Sequence, residues 1–113
     1  RFAPAIKSGV SRFAVKVLNS VGTIYIGCVS KTANKTEVKA LHSSGYEYSS
    51  RGFKSMKGMS ASYGTKYGTG DLIEVTIDMN SHTMSYAKNG TCMGVAFENL
   101  PVEGVHPAID ILG

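Results

Sequence analysis

Residues 67–100 read YGTGDLIEVTIDMNSHTMSYAKNGTCMGVAFENL. After the Gly70-Asp71 pair, Ile73, Val75, Ile77 and Met79 fall on one side of an extended chain and Glu74, Thr76 and Asp78 on the other. That is the two-residue period of a half-buried strand. A short polar turn follows, and then a second extended stretch in which Met84 and Tyr86 share a face. This stretch runs into Asn89-Gly90, the pair best suited to a two-residue type I′ hairpin turn, which needs positive φ at both central residues. A third stretch starts at once, with Met93, Val95 and Phe97 at alternate positions. The reading predicts three consecutive antiparallel strands.

The flanking sequence has the same character. Residues 1–11 form a mixed lead-in with Pro4 and Gly9. Residues 12–18 put Phe13, Val15 and Val17 on one face. A turn over 19–22 leads into 23–29, where Ile24, Ile26 and Cys28 point one way and Tyr25, Gly27 and Val29 the other. Gly27 predicts close approach of a neighbouring chain, since a glycine inside a strand leaves room for one. Residues 30–44 are polar and aperiodic and read as an exposed loop. Residues 45–49 and part of 53–59 read as short strands, and 60–70 as a connection. A last strand covers roughly 105–112, with Pro107 marking an edge position or strand start. No window has a helical period. The expected core includes Ile24, Ile26, Ile73, Val75, Ile77 and Phe97.

A length of 113 residues predicts one domain, and 13 glycines suit many tight turns. The net charge is +4 and unevenly spread. Residues 31–66 carry seven bases against Glu37 and Glu47, whereas 67–113 carry Lys88 against six acids. Such polarity would steer an acidic partner. Cys28 and Cys92 each sit in an apolar strand pattern and are expected as two reduced core thiols, because free cysteine behaves there as a small hydrophobe. The apolar runs are too short for a membrane span. The chain begins at Arg1, which predicts a piece of a larger protein.

Catalytic constellations are hard to assemble from these residues. A glycosidase needs two carboxylates about 5–10 Å apart, and Glu74 and Asp78 lie roughly 13 Å apart along one strand at about 3.3 Å per residue. His42, His82 and His106 are scattered over expected turns and loops without ligand spacing. Asp78-Met79-Asn80 lacks the remainder of a calcium loop. The glycines of 64–70 do not form a phosphate-binding loop before a helix. Neither cysteine has a base adjacent in sequence. Two glycosylation tripeptides occur, at Asn34 and Asn89, and the second is accounted for by the hairpin turn.

The order of these parts resembles the SPRY domain family over nearly the whole chain. The resemblance rests on an opening strand, Arg12 to Val17, and a second strand ending near Gly27. A Gly-aromatic-x-aromatic strand follows at Gly45-Tyr46-Glu47-Tyr48, and then Tyr67-Gly68 to Gly70-Asp71-Leu72-Ile73. The stretch Tyr86-Ala87-Lys88-Asn89-Gly90 to Phe97 is the family's most specific segment, and Pro107-Ala108-Ile109 matches its closing motif. The sequence departs from the family at Ala14, where a carboxylate is usual, in having no tryptophan, and in stopping at Gly113 before a usual final strand.

The resemblance implies an all-β fold, a two-sheet antiparallel β-sandwich of the concanavalin A-like, SPRY jelly-roll kind, forming a single domain over 1–113. It implies a non-catalytic, cofactor-free module that binds a protein or short peptide through its loops inside the cell, without membrane or small-molecule substrate. The expected contact residues are Lys7, Lys31, Thr32, Asn34, Lys35, Tyr48, Arg51, Asp110 and Leu112. Lysine and asparagine supply donors, and tyrosine and arginine are the types that anchor interfaces. Two other readings remain open. One is a lectin-like carbohydrate-binding sandwich, which needs aromatic platforms among Tyr25, Tyr46, Tyr48, Tyr63 and Tyr67. The other is single-stranded RNA binding by the basic segment 31–66.

Overall fold

The structure, a computed structural model, describes residues 5–19, 22–30 and 45–112. Among these there are nine strands and no helix. In chain order they are β1 (Val10–Lys16), β2 (Thr23–Ser30), β3 (Tyr46–Ser49), β4 (Phe53–Met56), β5 (Met59–Ser62), β6 (Leu72–Asp78), β7 (Thr83–Lys88), β8 (Thr91–Phe97) and β9 (Val105–Leu112). They form two antiparallel sheets, ordered β1-β6-β7-β8 and β5-β4-β3-β2-β9. The sheets pack face to face over one apolar core, the sandwich that the alternation implied.

The 67–100 stretch folds as read. β6, β7 and β8 are successive antiparallel neighbours, and Asn89 (φ 51°) and Gly90 (φ 87°) make the two-residue turn. Ile73, Val75, Ile77 and Met84 are fully buried, as is Ile26, while Ile24 and Phe97 are nearly so. The motif residues also hold one another. Asp71 accepts from the Gly68 amide at 2.8 Å and from Asn89 Nδ2 at 2.9 Å, and Asn89 Oδ1 accepts from the Leu72 amide at 2.8 Å. The Gly-Asp and Asn-Gly pairs are thus one hydrogen-bonded unit across the ends of β6 and β7.

Gly27 faces Glu47 across β2 and β3, and a Cβ there would lie 1.7 Å from the Tyr46 carbonyl oxygen. No side chain fits, so the glycine is what allows the two backbones to approach. Pro107 lies on β9, an edge strand, where its missing N–H costs no sheet hydrogen bond.

Several expectations are corrected. Residues 59–62 form strand β5, because Lys57 (φ 50°) and Gly58 (φ 85°) turn the chain back in a second tight hairpin. Cys92 is exposed, since it pairs with Ala87 on the face opposite Tyr86, whereas Cys28 is buried and its thiol is pushed up to about 12 by burial. Val95 is 51% exposed: the register of β8 shifts against Ser85, and Ala96 and Phe97 both turn inward in its place. Two residues opposing one is the signature of a β-bulge. His106 lies on β9 and is buried, not in a loop.

The core is rich in tyrosine. Tyr48 packs on the rings of Tyr63, Tyr67 and Tyr86, with centroids 5.3, 4.8 and 5.0 Å away. Each hydroxyl finds a carbonyl, as buried phenols must. Tyr86 donates to Ile26 O at 2.7 Å, and Tyr67 to Tyr48 O at 2.7 Å and Ile24 O at 3.0 Å. These bonds tie the four-stranded sheet and the 63–67 segment to β2 and β3.

Candidate partner-binding surface

Tyr48 is the one expected contact residue that the structure removes. It is fully buried, and its hydroxyl donates to the Thr65 carbonyl, fixing the 63–67 segment on the core. Tyr46 and Tyr48 alternate with Glu47, so both rings share the inward face, and neither can touch a partner.

The other described candidates fall into two groups. Arg51 sits in the turn between β3 and β4. That turn is pinned by Ser50 N donating to Ile24 O at 2.8 Å, Ile24 N donating to Ser50 Oγ at 3.0 Å and Gly52 N donating to Ser49 O at 3.0 Å. Arg51 Nε donates to Thr23 Oγ1 at 3.1 Å, which orients the guanidinium along the outer face of the five-stranded sheet. Asp110 lies on the same face, directly opposite Tyr25 in the β2–β9 register, and Tyr25 in turn faces Ser49. Lys7 belongs elsewhere. It adjoins Gly104 beside the Ile6–Val105 bridge, at the Ser30 end of β2. Tyr25 and Ser30 are five residues apart, so about 17 Å of strand separates the two groups at about 3.3 Å per residue. Lys31, Thr32, Asn34 and Lys35 lie outside the described residues, as does the side chain of Leu112.

Around Arg51 the outer face is concave. A hollow of about 380 Å³ is lined by Tyr25, Glu47, Ser49, Arg51 and Phe53 together with small serines of β4 and β5. The strand registers explain the lining, because Tyr25, Ser49 and Phe53 form one cross-sheet row and Glu47 and Ser55 the next. Phe53 is 46% exposed, an apolar ring left on a polar face. Glu47 is buried at the floor of the hollow. Sequence reasoning passed over Glu47 and Phe53 as surface features and offered Tyr25 only as an aromatic platform for carbohydrate. The signal was present in the Ser50-Arg51-Gly52 turn, which fixes the β3–β4 register and so places Phe53 beside Ser49.

Chemically the hollow offers a guanidinium, two aromatic rings, a carboxylate and hydroxyls. Arg, Tyr and Phe beside one another are the composition of an interface anchor. Among the described residues no three His, Cys, Asp or Glu side chains gather as a metal set, and no helix is long and apolar enough to cross a membrane.

Comparison with known proteins agrees with this architecture. The family model of the SPRY domain matches residues 10–111. The Ran-binding proteins 9/10 homolog of Drosophila melanogaster is 28% identical over 108 residues, covering 91% of this chain and 11% of that protein. Ran-binding protein 9 of Danio rerio is 29% identical over 108 residues, covering 91% of this chain and 18% of that protein. The chain therefore spans less than a fifth of these relatives' length. The crystal structure of the SPRY domain of human HERC1 superimposes with a TM-score of 0.78 at 20% identity, covering 95% of this chain and 69% of that one. With residues 10–111 matched and both sheets in place, the chain belongs to the SPRY domain family.

Proposed function

We propose that this domain is a non-catalytic protein-binding module, working inside the cell, that recruits a peptide or partner surface to the larger protein carrying it. The observation that carries the reading is the hollow on the five-stranded sheet, where Arg51, Tyr25 and Phe53 stand exposed or half-buried on a rigid scaffold. A stiff sheet limits the ordering cost of binding. Asp110 borders the hollow across the β2–β9 ladder. Lys7, Lys31, Thr32, Asn34 and Lys35 are further contacts in this proposal, and the excess of bases in 31–66 favours an acidic partner.

The test compares three forms of the full-length protein that carries the domain: intact, lacking residues 10–111, and bearing Arg51→Glu with Phe53→Ser. Proximity labelling in cells should give a set of neighbours lost from the deletion and also from the double variant, with the isolated variant domain melting at the wild-type temperature. An unchanged neighbour set in the deletion form would overturn the binding reading. Loss in the deletion alone would move the site away from the hollow.

A further inference from the structure

The two sheets end differently on the side where β5 and β8 are the edge strands. β8 is closed to further pairing. Lys54 Nζ donates to the Ala96 carbonyl at 2.8 Å, and Tyr63 Oη donates to the Gly94 carbonyl at 2.5 Å. Both side chains come from the opposite sheet side and occupy acceptors that an added strand would need, and the bulge at Ala96 breaks the register besides. These are the usual protections of an edge.

β5 is short, at four residues, but among the described residues no side chain caps its outward carbonyls and no bulge breaks its register. The Lys57-Gly58 turn makes Met56 and Met59 the hydrogen-bonded pair that closes a two-residue hairpin. Hydrogen-bonded and non-bonded pairs alternate along an antiparallel ladder. Tyr63 N donating to Gly52 O at 3.0 Å confirms that phase. The N–H and C=O groups of Ser60 and Ser62 therefore point away from β4, off the free edge. All four residues of β5 are exposed, Met59 at 73%. The five-stranded sheet also overhangs its partner here. The inward face of β4 and β5 meets β8 across a groove of about 500 Å³, lined by Met56, Met59, Ala61, Val95 and Phe97 with Lys54 at its floor.

Charge selects the occupant. The β4–β5 hairpin carries Lys54 and Lys57 and no acid, against the single carboxylate of Glu98 in the groove lining. A second copy of the chain pairing edge to edge would set this cationic hairpin against itself, which like-charge repulsion disfavours. We propose that the free edge of β5 accepts an extended, acid-flanked segment of a partner protein as a sixth strand. Backbone groups of Ser60 and Ser62 pair with that segment, and its alternate apolar side chains enter the groove against Met56, Met59 and Val95. Strand addition of this kind takes affinity from main-chain bonds and specificity from alternate side chains. The inference rests on the protein-binding reading only in taking the partner to be a polypeptide, and its groove shares Ser60 but none of Tyr25, Arg51 and Phe53 with the Arg51 hollow.

The probe is the N-acetylated, C-amidated peptide DEVTVTVED, titrated into the isotopically labelled whole chain and followed by NMR. The amides of Ser60 and Ser62 and the methyl groups of Met56, Met59 and Val95 should shift, and hydrogen exchange at those two amides should slow. Ser60→Pro removes an outward N–H without touching a β4 bond. It should weaken the probe by at least about tenfold while leaving the thermal midpoint in place. Met59→Asp should do the same by repelling the acidic flanks. Methylating the probe's backbone nitrogens at alternate positions should abolish binding in one phase and spare it in the other. Shifts confined to the Tyr25–Arg51–Phe53 face would overturn strand addition and leave the broader binding reading intact. No shift at all, equal binding by both variants, or a concentration-dependent dimer lost in Ser60→Pro would each overturn it as well.

Discussion

Each sheet contains a three-stranded meander that ends on an edge strand after a two-residue turn. In β6–β7–β8 the turn is Asn89-Gly90, with φ of 51° and 87°; in β3–β4–β5 it is Lys57-Gly58, with φ of 50° and 85°. The turn backbones nearly coincide, yet the two meanders are held by different means. β6 and β7 bury every second side chain, and their turn residue Asn89 is bonded to Leu72 and Asp71. β4 and β5 bury no side chain completely, and Lys57 has a conformation that a lysine adopts only at a cost. The first meander is part of the core. The second is a shelf attached to it through β3 and through the Lys54 and Tyr63 side chains that reach β8, which leaves the outer edge of β5 available.

The comparison is tested most severely in the middle of the first meander. Val75→Asp should lower stability by about 4 kcal/mol or more, because an unpaired charge would be placed among fully buried apolar neighbours. Chemical denaturation would read this as a large drop in the midpoint. The same change at exposed Ala61 on β5 should stay within about 0.5 kcal/mol. Equal effects would mean that the shelf is as buried as the core.

A smaller effect belongs to the first turn. Asn89→Ala keeps the positive φ and removes both the residue type that tolerates it and two hydrogen bonds. The left-handed conformation alone costs about 1–2 kcal/mol for a residue with an ordinary Cβ, so thermal unfolding should move down by several degrees. A neutral result would show that the Asp71–Asn89 link adds nothing.

The smallest effect has the opposite sign. Lys57→Asn places a turn-favoured residue at the matching position of the second meander, and should raise stability by about 0.5 kcal/mol, within the range of such local optimisations. A destabilised Lys57→Asn would show that the lysine stem packs usefully on the shelf.

The same contrast explains what could be read from the sequence. The first meander was legible because burial imposes alternation on β6 and β7 and because Asn-Gly leaves little choice of turn. β5 was missed because Met59-Ser60-Ala61-Ser62 is exposed on both faces, so burial imposes no alternation on it, and Lys-Gly is a weak turn signal. The error at Val95 followed from the register shifts of β8, which an alternation count cannot see, whereas Cys92 keeps regular register opposite Ala87 and simply lies on the outward face. Tyr48 was misplaced for a different reason. Large aromatics anchor both cores and interfaces, and only its shared face with Tyr46 reveals which of the two it serves. Arg51 and Asp110 were expected as contacts of a loop-built site, whereas the rings and carboxylate beside Arg51 come from strands of the outer sheet face.

The tyrosine cluster makes protonation and folding report on each other. Burial lifts the phenols of Tyr46, Tyr48, Tyr63, Tyr67 and Tyr86 above the ordinary tyrosine value of 10.0, that of Tyr63 to about 12. In the unfolded chain they ionise near 10. Above that pH the native state binds more protons than the unfolded one, so stability falls as the solution becomes more alkaline. Below it these groups lend no pH dependence. The sequence has no tryptophan, so the near-ultraviolet spectrum belongs to tyrosine and is not masked. Tyrosinate absorbance from these five residues should therefore rise together with the loss of the sandwich in an alkaline titration monitored also by circular dichroism. An ionisation curve completed while the β signal is still whole would mean that the rings are reachable by hydroxide in the folded protein.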